Sequence, residues 1–175
     1  MPRVYELNYI LDSDLRQTLL TQMDSQPFCP TYCQHDGHLH PFQVVSTRAG
    51  TLVLTPEIDQ VRENVTNMLE APEGITIIKT PPNTEMGVHT DAAKNAHRKT
   101  LLIILLSSPD GENNALRFYD EGQNILEQHS YDNNKAILTI TDQRHQAVNY
   151  TDAPRYSLQF GFSKSIDELI EIYES

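Results

Sequence analysis

The residues that could do chemistry are His89-Thr90-Asp91, a second histidine, His145, 54 positions beyond the acid, and Arg155-Tyr156-Ser157, ten positions further on. On a strand, side chains at i and i+2 leave the same face with their Cα atoms about 6.6–6.8 Å apart. The His89 imidazole and the Asp91 carboxylate can therefore lean onto one metal ion. Alone, the pair reads more readily as a histidine bonded to a neighbouring acid. His145 stands at the start of a short strand, Gln146-Ala147-Val148. Two imidazoles and one carboxylate from adjacent positions of a folded sheet make a facial triad. That set suits non-haem Fe(II), because one face of the octahedron stays open, and all three donors are neutral or anionic at pH 7. In a strand, Arg155 and Ser157 share one face, while Tyr156, Leu158, Phe160 and Phe162 share the other. A guanidinium matches a carboxylate with two parallel hydrogen bonds, and a hydroxyl two residues on adds a third. An arginine aimed into a β core needs an anionic partner, because an unpaired buried charge is costly. An arginine reaching solvent or Asp152 is the plain alternative.

Taken together, these residues resemble the 2-oxoglutarate- and Fe(II)-dependent dioxygenases, nearest their prolyl-4-hydroxylase-like branch. There a turn rich in Pro, Gly and Asn leads into the His-x-Asp strand and an apolar strand follows. Thr80-Pro81-Pro82-Asn83, His89-Thr90-Asp91 and Thr100 to Leu106 stand in those places. The resemblance spans residues 75–163 at superfamily level, and the first 74 residues carry none. It implies a mainly β fold with flanking helices: a double-stranded β-helix, a jelly-roll or cupin-like barrel with the metal at one mouth. It implies His89, Asp91 and His145 as catalytic iron ligands, and Arg155, assisted by Ser157, as the holder of the distal carboxylate of 2-oxoglutarate. The implied cofactors are Fe(II) and 2-oxoglutarate, with ascorbate as an optional stimulant and O2 as co-substrate.

The implied reaction hydroxylates a C–H bond of a protein side chain, proline included, or of a small molecule, and releases succinate and CO2. Asp91 argues against halogenation, since related halogenating enzymes replace that acid with a small residue. One position departs from the branch. A tyrosine ten residues before the first histidine commonly helps bind the 2-oxo acid, and Lys79 stands there. It could pair with a carboxylate as a compact point charge, or face solvent from the sheet. A reading from a different class is a cupin-like metal-binding module or sensor without oxygenase activity, which has no stated need of Arg155 and Ser157.

The elements that must position these residues follow from local pattern. Asp12-Ser13-Asp14-Leu15 followed by Leu19, Leu20 and Met23 reads as a short helix with an acidic start. Thr51 to Leu54 is strand-like. Thr55-Pro56-Glu57 opens a helix with a Thr cap, Pro in the first turn and an acid at the positive dipole end. After Gly74, short strands alternate with turns: 75–79, 87–91, 100–106, 115–119, 124–127, 136–141, 146–150 and 156–162. Ser165-Ile166-Asp167-Glu168 is a capping box for a last helix. The expected plan is one domain over 1–175: a helical part over 1–74 packing on the barrel, a β core over 75–163 and a C-terminal helix over 164–175.

A rival metal cluster is Cys29, Cys33, His35, His38 and His40, whose thiolates and imidazoles are zinc donors. The spacing is tighter than in zinc fingers, so a surface loop with two free thiols, or a loop lining the substrate entrance, is weighed beside a second metal site. Lys94, Arg98 and Lys99 read as a solvated loop or as a basic lip for an anionic substrate. His97 and His129 read as ordinary loop or surface residues. Tyr119, Tyr131 and Tyr150 read as sheet packing or as walls of a cleft.

The 175 residues carry 13 Lys and Arg against 24 Asp and Glu, a net charge of −11. That balance disfavours phosphate-driven nucleic-acid binding. There is no 18-residue apolar run, no apolar leader at the start and only two cysteines, so a cytoplasmic protein without a membrane span is expected.

Overall fold

The apolar run over 100–107 and the alternating segment over 155–162 pair antiparallel in the middle of one sheet. The computed structural model describes residues 1–28, 33–35, 38–91, 97–107, 113–131 and 135–175, with the backbone alone at 33–35 and 38–40. Its elements in chain order begin with β1 (Val4–Leu7), α1 (Ser13–Gln22), β2 (Cys33–His35), β3 (His38–His40), β4 (Gln43–Ser46) and α2 (Pro56–Met68). They continue with β5 (Gly74–Thr80), β6 (Thr84–Glu85), β7 (Thr100–Ser107), β8 (Asn114–Tyr119), β9 (Ile125–Ser130), β10 (Ala136–Ile140), β11 (His145–Asn149), β12 (Arg155–Phe162) and α3 (Ile166–Glu174).

The larger sheet has the order β1-β10-β7-β12-β5-β4 and the smaller β6-β11-β8-β9, with every pairing antiparallel. From β5 onward the chain passes back and forth between the two sheets. This winding is the double-stranded β-helix that the resemblance implied.

Strand alternation divides β12 between two environments. Leu158, Phe160 and Phe162 join the core with Leu19 of α1, Ile58, Val61 and Val65 of α2, and Ile166 and Leu169 of α3. Each such side chain removed from water contributes about 1.5–3 kcal/mol. Arg155, Ser157, Gln159 and Gly161 leave the other face, where Arg155 reaches β8 and β11 of the smaller sheet. The helices start where expected. Asp12 accepts from the amides of Asp14 and Leu15, Thr55 accepts from Ile58, and Ser165 and Glu168 form the capping box.

Two expectations for the first third are corrected. Residues 1–74 are not helical alone, since β1 and β4 form the two edges of the larger sheet. Both are four residues long and lack the apolar run that marks β7, so edge pairing rather than local pattern defines them. Residues 51–54 form no strand. The Gln26 side chain satisfies Val53 instead, donating to its carbonyl at 2.8 Å and accepting from its amide at 3.0 Å. Among the described residues no helix is long and apolar enough to cross a membrane.

Candidate metal centre

β6 pairs with β11 only at Thr84 and Glu85, and beyond Met86 the partnership returns as a single bridge between His89 and His145. The His89 amide donates to the His145 carbonyl at 3.0 Å and the His145 amide returns the bond at 2.8 Å. Directly opposed residues share a face, so the two imidazoles sit together with centroids 4.5 Å apart. The Asp91 amide donates to the Thr141 carbonyl at 3.0 Å, which fixes the acid beside them. His89, Asp91 and His145 can each offer one ligand atom with all three within 4.8 Å of one another. His89 Nε2 lies 3.5 Å from Asp91 Oδ1, and His145 Nε2 lies 3.8 Å from Asp91 Oδ2.

Backbone carbonyls set both tautomers. His89 Nδ1 is 2.7 Å from the Gly87 carbonyl and His145 Nδ1 is 2.8 Å from the Gln143 carbonyl. A carbonyl only accepts, so each Nδ1 carries a proton and each Nε2 is turned towards Asp91. Metal-binding histidines are oriented in this way.

The three groups titrate apart. Burial works against a proton on His89, but hydrogen bonds to Asp91 and the Gly87 carbonyl outweigh it, so this imidazole stays protonated above its usual 6.5. Burial, with the nearby charges of His89 and Arg98, pushes His145 below that value despite Asp91. Burial also raises Asp91, but the contact with His89 and the charges of His145 and Arg98 hold it below the usual carboxylate range.

Beyond the triad along β11 lies Arg155, only 3% exposed. Its Nη1 donates to Asn114 Oδ1 at 2.8 Å and to the Val148 carbonyl at 3.1 Å, and its Nη2 donates to Thr80 Oγ1 at 3.2 Å. The Tyr131 ring lies 4.7 Å from its Cζ. Among the described residues no carboxylate pairs with it, and burial depresses its pKa. Asp152, the structural partner considered from sequence, instead accepts from the Asn83 side chain at 3.2 Å. Ser157, also buried, shares the Arg155 face. From His145 to Val148 is three residues, about 10 Å along the strand.

Phe42, Val44, Met86 and Ala147 form a small separate apolar cluster, with Ile78 packed against it. Ala147 follows His145 on the same strand face, and Ile78 stands opposite Ser157. Apolar side chains thus occupy the stretch between the cationic end and the imidazole–carboxylate end.

Lys79 does not join this group. It is paired with Tyr156, on the face of β12 opposite Arg155, and its ammonium lies 5.6 Å from the Tyr156 ring centre. A period of two decides this: Thr80, not Lys79, shares the face of Arg155. Of the rival cluster, Cys29 lies outside the described residues, and only the backbone is described at Cys33, His35, His38 and His40. There the β2–β3 hairpin sets Cys33 opposite His40 and His35 opposite His38. Of the basic stretch, Lys94 lies outside the described residues, and Arg98 turns inward with Nη2 3.8 Å from Asp91 Oδ2. His97 and His129 sit 3.7 Å and 3.6 Å from Glu73 and Glu6.

No family model and no curated protein matches the sequence. Solved structures do match the fold. A prolyl-4-hydroxylase from Pseudomonas putida superposes with a TM-score of 0.64 at 14% identity, over 93% of this chain and 94% of that one. A 2OG-Fe(II) oxygenase family oxidoreductase from Burkholderia pseudomallei gives 0.66 at 16% identity, over 93% and 86%. A prolyl hydroxylase from Trichoplax adhaerens, solved with a hypoxia-inducible-factor peptide fragment, gives 0.66 at 13% identity, over 98% and 86%. The chain has the fold of the 2-oxoglutarate- and Fe(II)-dependent oxygenases.

Within this oxygenase fold, sequence reasoning missed Thr80 and Asn114 around Arg155, and it had Tyr131 as a cleft wall or sheet packing without linking it to the arginine. Thr80 was readable as the strand neighbour of Lys79 on the opposite face. Asn114 and Tyr131 had no such signal, since their meeting with Arg155 depends on how β8 and β9 fold over β12.

Proposed function

We propose that this protein is an Fe(II)- and 2-oxoglutarate-dependent oxygenase that hydroxylates a C–H bond of a protein side chain, with proline among the candidates, or of a small molecule. The observation that carries the proposal is a buried guanidinium that has no carboxylate partner among the described residues and that donates to Val148, three residues along β11 from His145 of the His/Asp/His cluster. A buried charge left with neutral acceptors is costly, and a dicarboxylate arriving between the two ends would relieve it.

The donor set fits ferrous ion: two neutral nitrogens, one carboxylate oxygen and one open face. When bound there with 2-oxoglutarate, Fe(II) supplies the activation of O2 that splits the keto acid to succinate and CO2 and places one oxygen atom in a C–H bond. The chain's own residues prepare that chemistry. His89 and His145 present Nε2 because Gly87 and Gln143 hold their Nδ1 protons. Asp91 supplies the negative charge. Arg155 receives the distal carboxylate, with the Ser157 and Thr80 hydroxyls beside it. Ile78, Met86 and Ala147 flank the methylene stretch and exclude water.

The test is anaerobic addition of Fe(II) and then 2-oxoglutarate. A weak visible charge-transfer band that Arg155→Ala abolishes is expected, followed on admitting O2 by succinate release against a panel of peptides, free amino acids and nucleotides. Metal uptake with neither band nor succinate would leave a metal-binding module and end the oxygenase reading.

A further inference from the structure

We infer that Arg98 and Gly161 are a positioning pair for Asp91: a notch at Gly161 admits the Arg98 side chain, whose guanidinium holds one carboxylate oxygen and leaves the other for the metal. The inference rests on the metal-centre reading above and extends it to two residues outside the triad.

Asp91 is gripped at both oxygens. Oδ1 faces His89, while Oδ2 stands 3.8 Å from both His145 Nε2 and Arg98 Nη2. The Arg98 backbone is laced to the same neighbourhood. Its carbonyl accepts from Thr141 Oγ1 at 2.9 Å, and Thr141 also receives the Asp91 amide. The next residue, Lys99, donates its amide to Phe162 at 2.8 Å. Arg98 Nε is buried and has no hydrogen-bond partner among the described residues. Nε therefore does not anchor the side chain among the described residues, and the ion pair with Asp91 is the interaction its guanidinium head makes there.

Gly161 makes that placement sterically open. A Cβ there would lie 2.6 Å from Arg98 Cδ and 3.2 Å from its Cγ. These are mid-stem atoms of a side chain tethered at its backbone, not a free end that can swing aside. The backbone at Gly161 does not itself demand glycine, since Gly50 is the glycine with positive φ among the described residues. The space taken by Arg98 is what excludes a side chain. Alternation puts Gly161 on the β12 face that carries Arg155, about 20 Å away along the strand. One strand face thus holds the anion anchor at one end and the notch serving the metal ligand at the other. A carboxylate with Oδ2 engaged binds the ion through one oxygen, which keeps the open face free.

The test is a Co(II) titration read by its visible bands on the full chain, comparing wild type, Arg98→Ala, Arg98→Lys, Gly161→Ala and the Gly161→Ala/Arg98→Ala double variant. Partners that orient a metal ligand typically account for about 10- to 100-fold in affinity. Arg98→Ala is expected to weaken Co(II) binding about tenfold with its melting temperature little changed, and Arg98→Lys to recover part of that. Gly161→Ala should weaken binding similarly, and the double variant should be no worse than Arg98→Ala. If Gly161→Ala does not fold, recovery of folding in the double variant supports the pair.

Arg98→Ala binding Co(II) as tightly as wild type, or tighter, overturns the inference, because the guanidinium would then only repel the ion. Losses that multiply in the double variant overturn the role of Gly161. Wild type taking up no Co(II) overturns the metal reading and the pair with it. Wild type that binds Co(II) but gives no Fe(II)–2-oxoglutarate band sinks the oxygenase reading while the pair stands on its own titrations.

Discussion

Asn114 Oδ1 accepts a hydrogen bond from Arg155 Nη1 at 2.8 Å, joining β8 of the smaller sheet to β12 of the larger across the barrel interior. The amide orients the guanidinium but cannot neutralise it. Replacing Asn114 with Ala would leave Nη1 with the Val148 carbonyl alone and is expected to destabilise the protein by about 1–3 kcal/mol. Urea unfolding measures this, and an unchanged midpoint would mean that water restores the bond fully.

Arg155→Ala should weaken 2-oxoglutarate binding by about 2–5 kcal/mol, the range for truncating one partner of a buried charge pair. Co(II) affinity measured without 2-oxoglutarate should stay near wild type, because the hydrogen bonds of Arg155 go to Asn114, Val148 and Thr80 rather than to the triad. Calorimetry of both ligands separates the two, and equal 2-oxoglutarate affinity in the variant would remove Arg155 from the anion site.

Asp91→Ala should abolish succinate formation and cut metal affinity by more than the roughly 10- to 100-fold expected for an outer-shell partner. The fold should persist, since Asp91 lies in a connection outside the strands. Metal binding that survives unchanged would strike this residue from the ligand set.

Metal uptake should depend on pH with a sign set by His89. Its metal-free pKa is raised above 6.5, whereas that of His145 is lowered and Asp91 stays ionised. As pH falls through the raised His89 value, the ion must displace one proton, so log K should drop by about one per pH unit. A slope approaching two should appear only below the ordinary histidine range, where His145 protonates as well. Co(II) titrations from pH 8 to pH 5.5 test this, and a slope of two from the outset would contradict the separation of the two histidines.

Ser165→Ala provides a contrast far from the site. Losing this N-cap should cost about 0.5–2 kcal/mol and lower the melting temperature by a few degrees, with succinate formation unchanged at temperatures where the variant is folded. Scanning calorimetry checks the first part and turnover the second.

Most strands after Gly74 and the three helix caps were legible because their signals are local: apolar alternation, Pro and Gly breaks, and hydroxyl or carboxylate side chains beside free amides. The strand expected over 87–91 is instead a single bridge at His89, and the two-residue β6 carried no such signal. The triad and Arg155 were legible as a set of spacings, but only as candidates. β1 and β4 were not legible, since four-residue edge strands acquire their identity from the partner they pair with. Lys79 shows the limit most directly. Its distance from His89 in sequence matched a ligand position, while the pairing of Thr80 with Arg155 turned it to the opposite face.

By itself the sequence determined which side chains could bind a metal and an anion, because donor chemistry resides in residue type. Tertiary structure alone decided that His89 and His145 face each other across one bridge. It also decided that Asn114, Thr80 and Tyr131 surround Arg155, and that Arg98 reaches Asp91 over Gly161. The physical reason is that strand register and sheet closure are set by the summed burial of many apolar side chains, and a shift of one residue reverses every face.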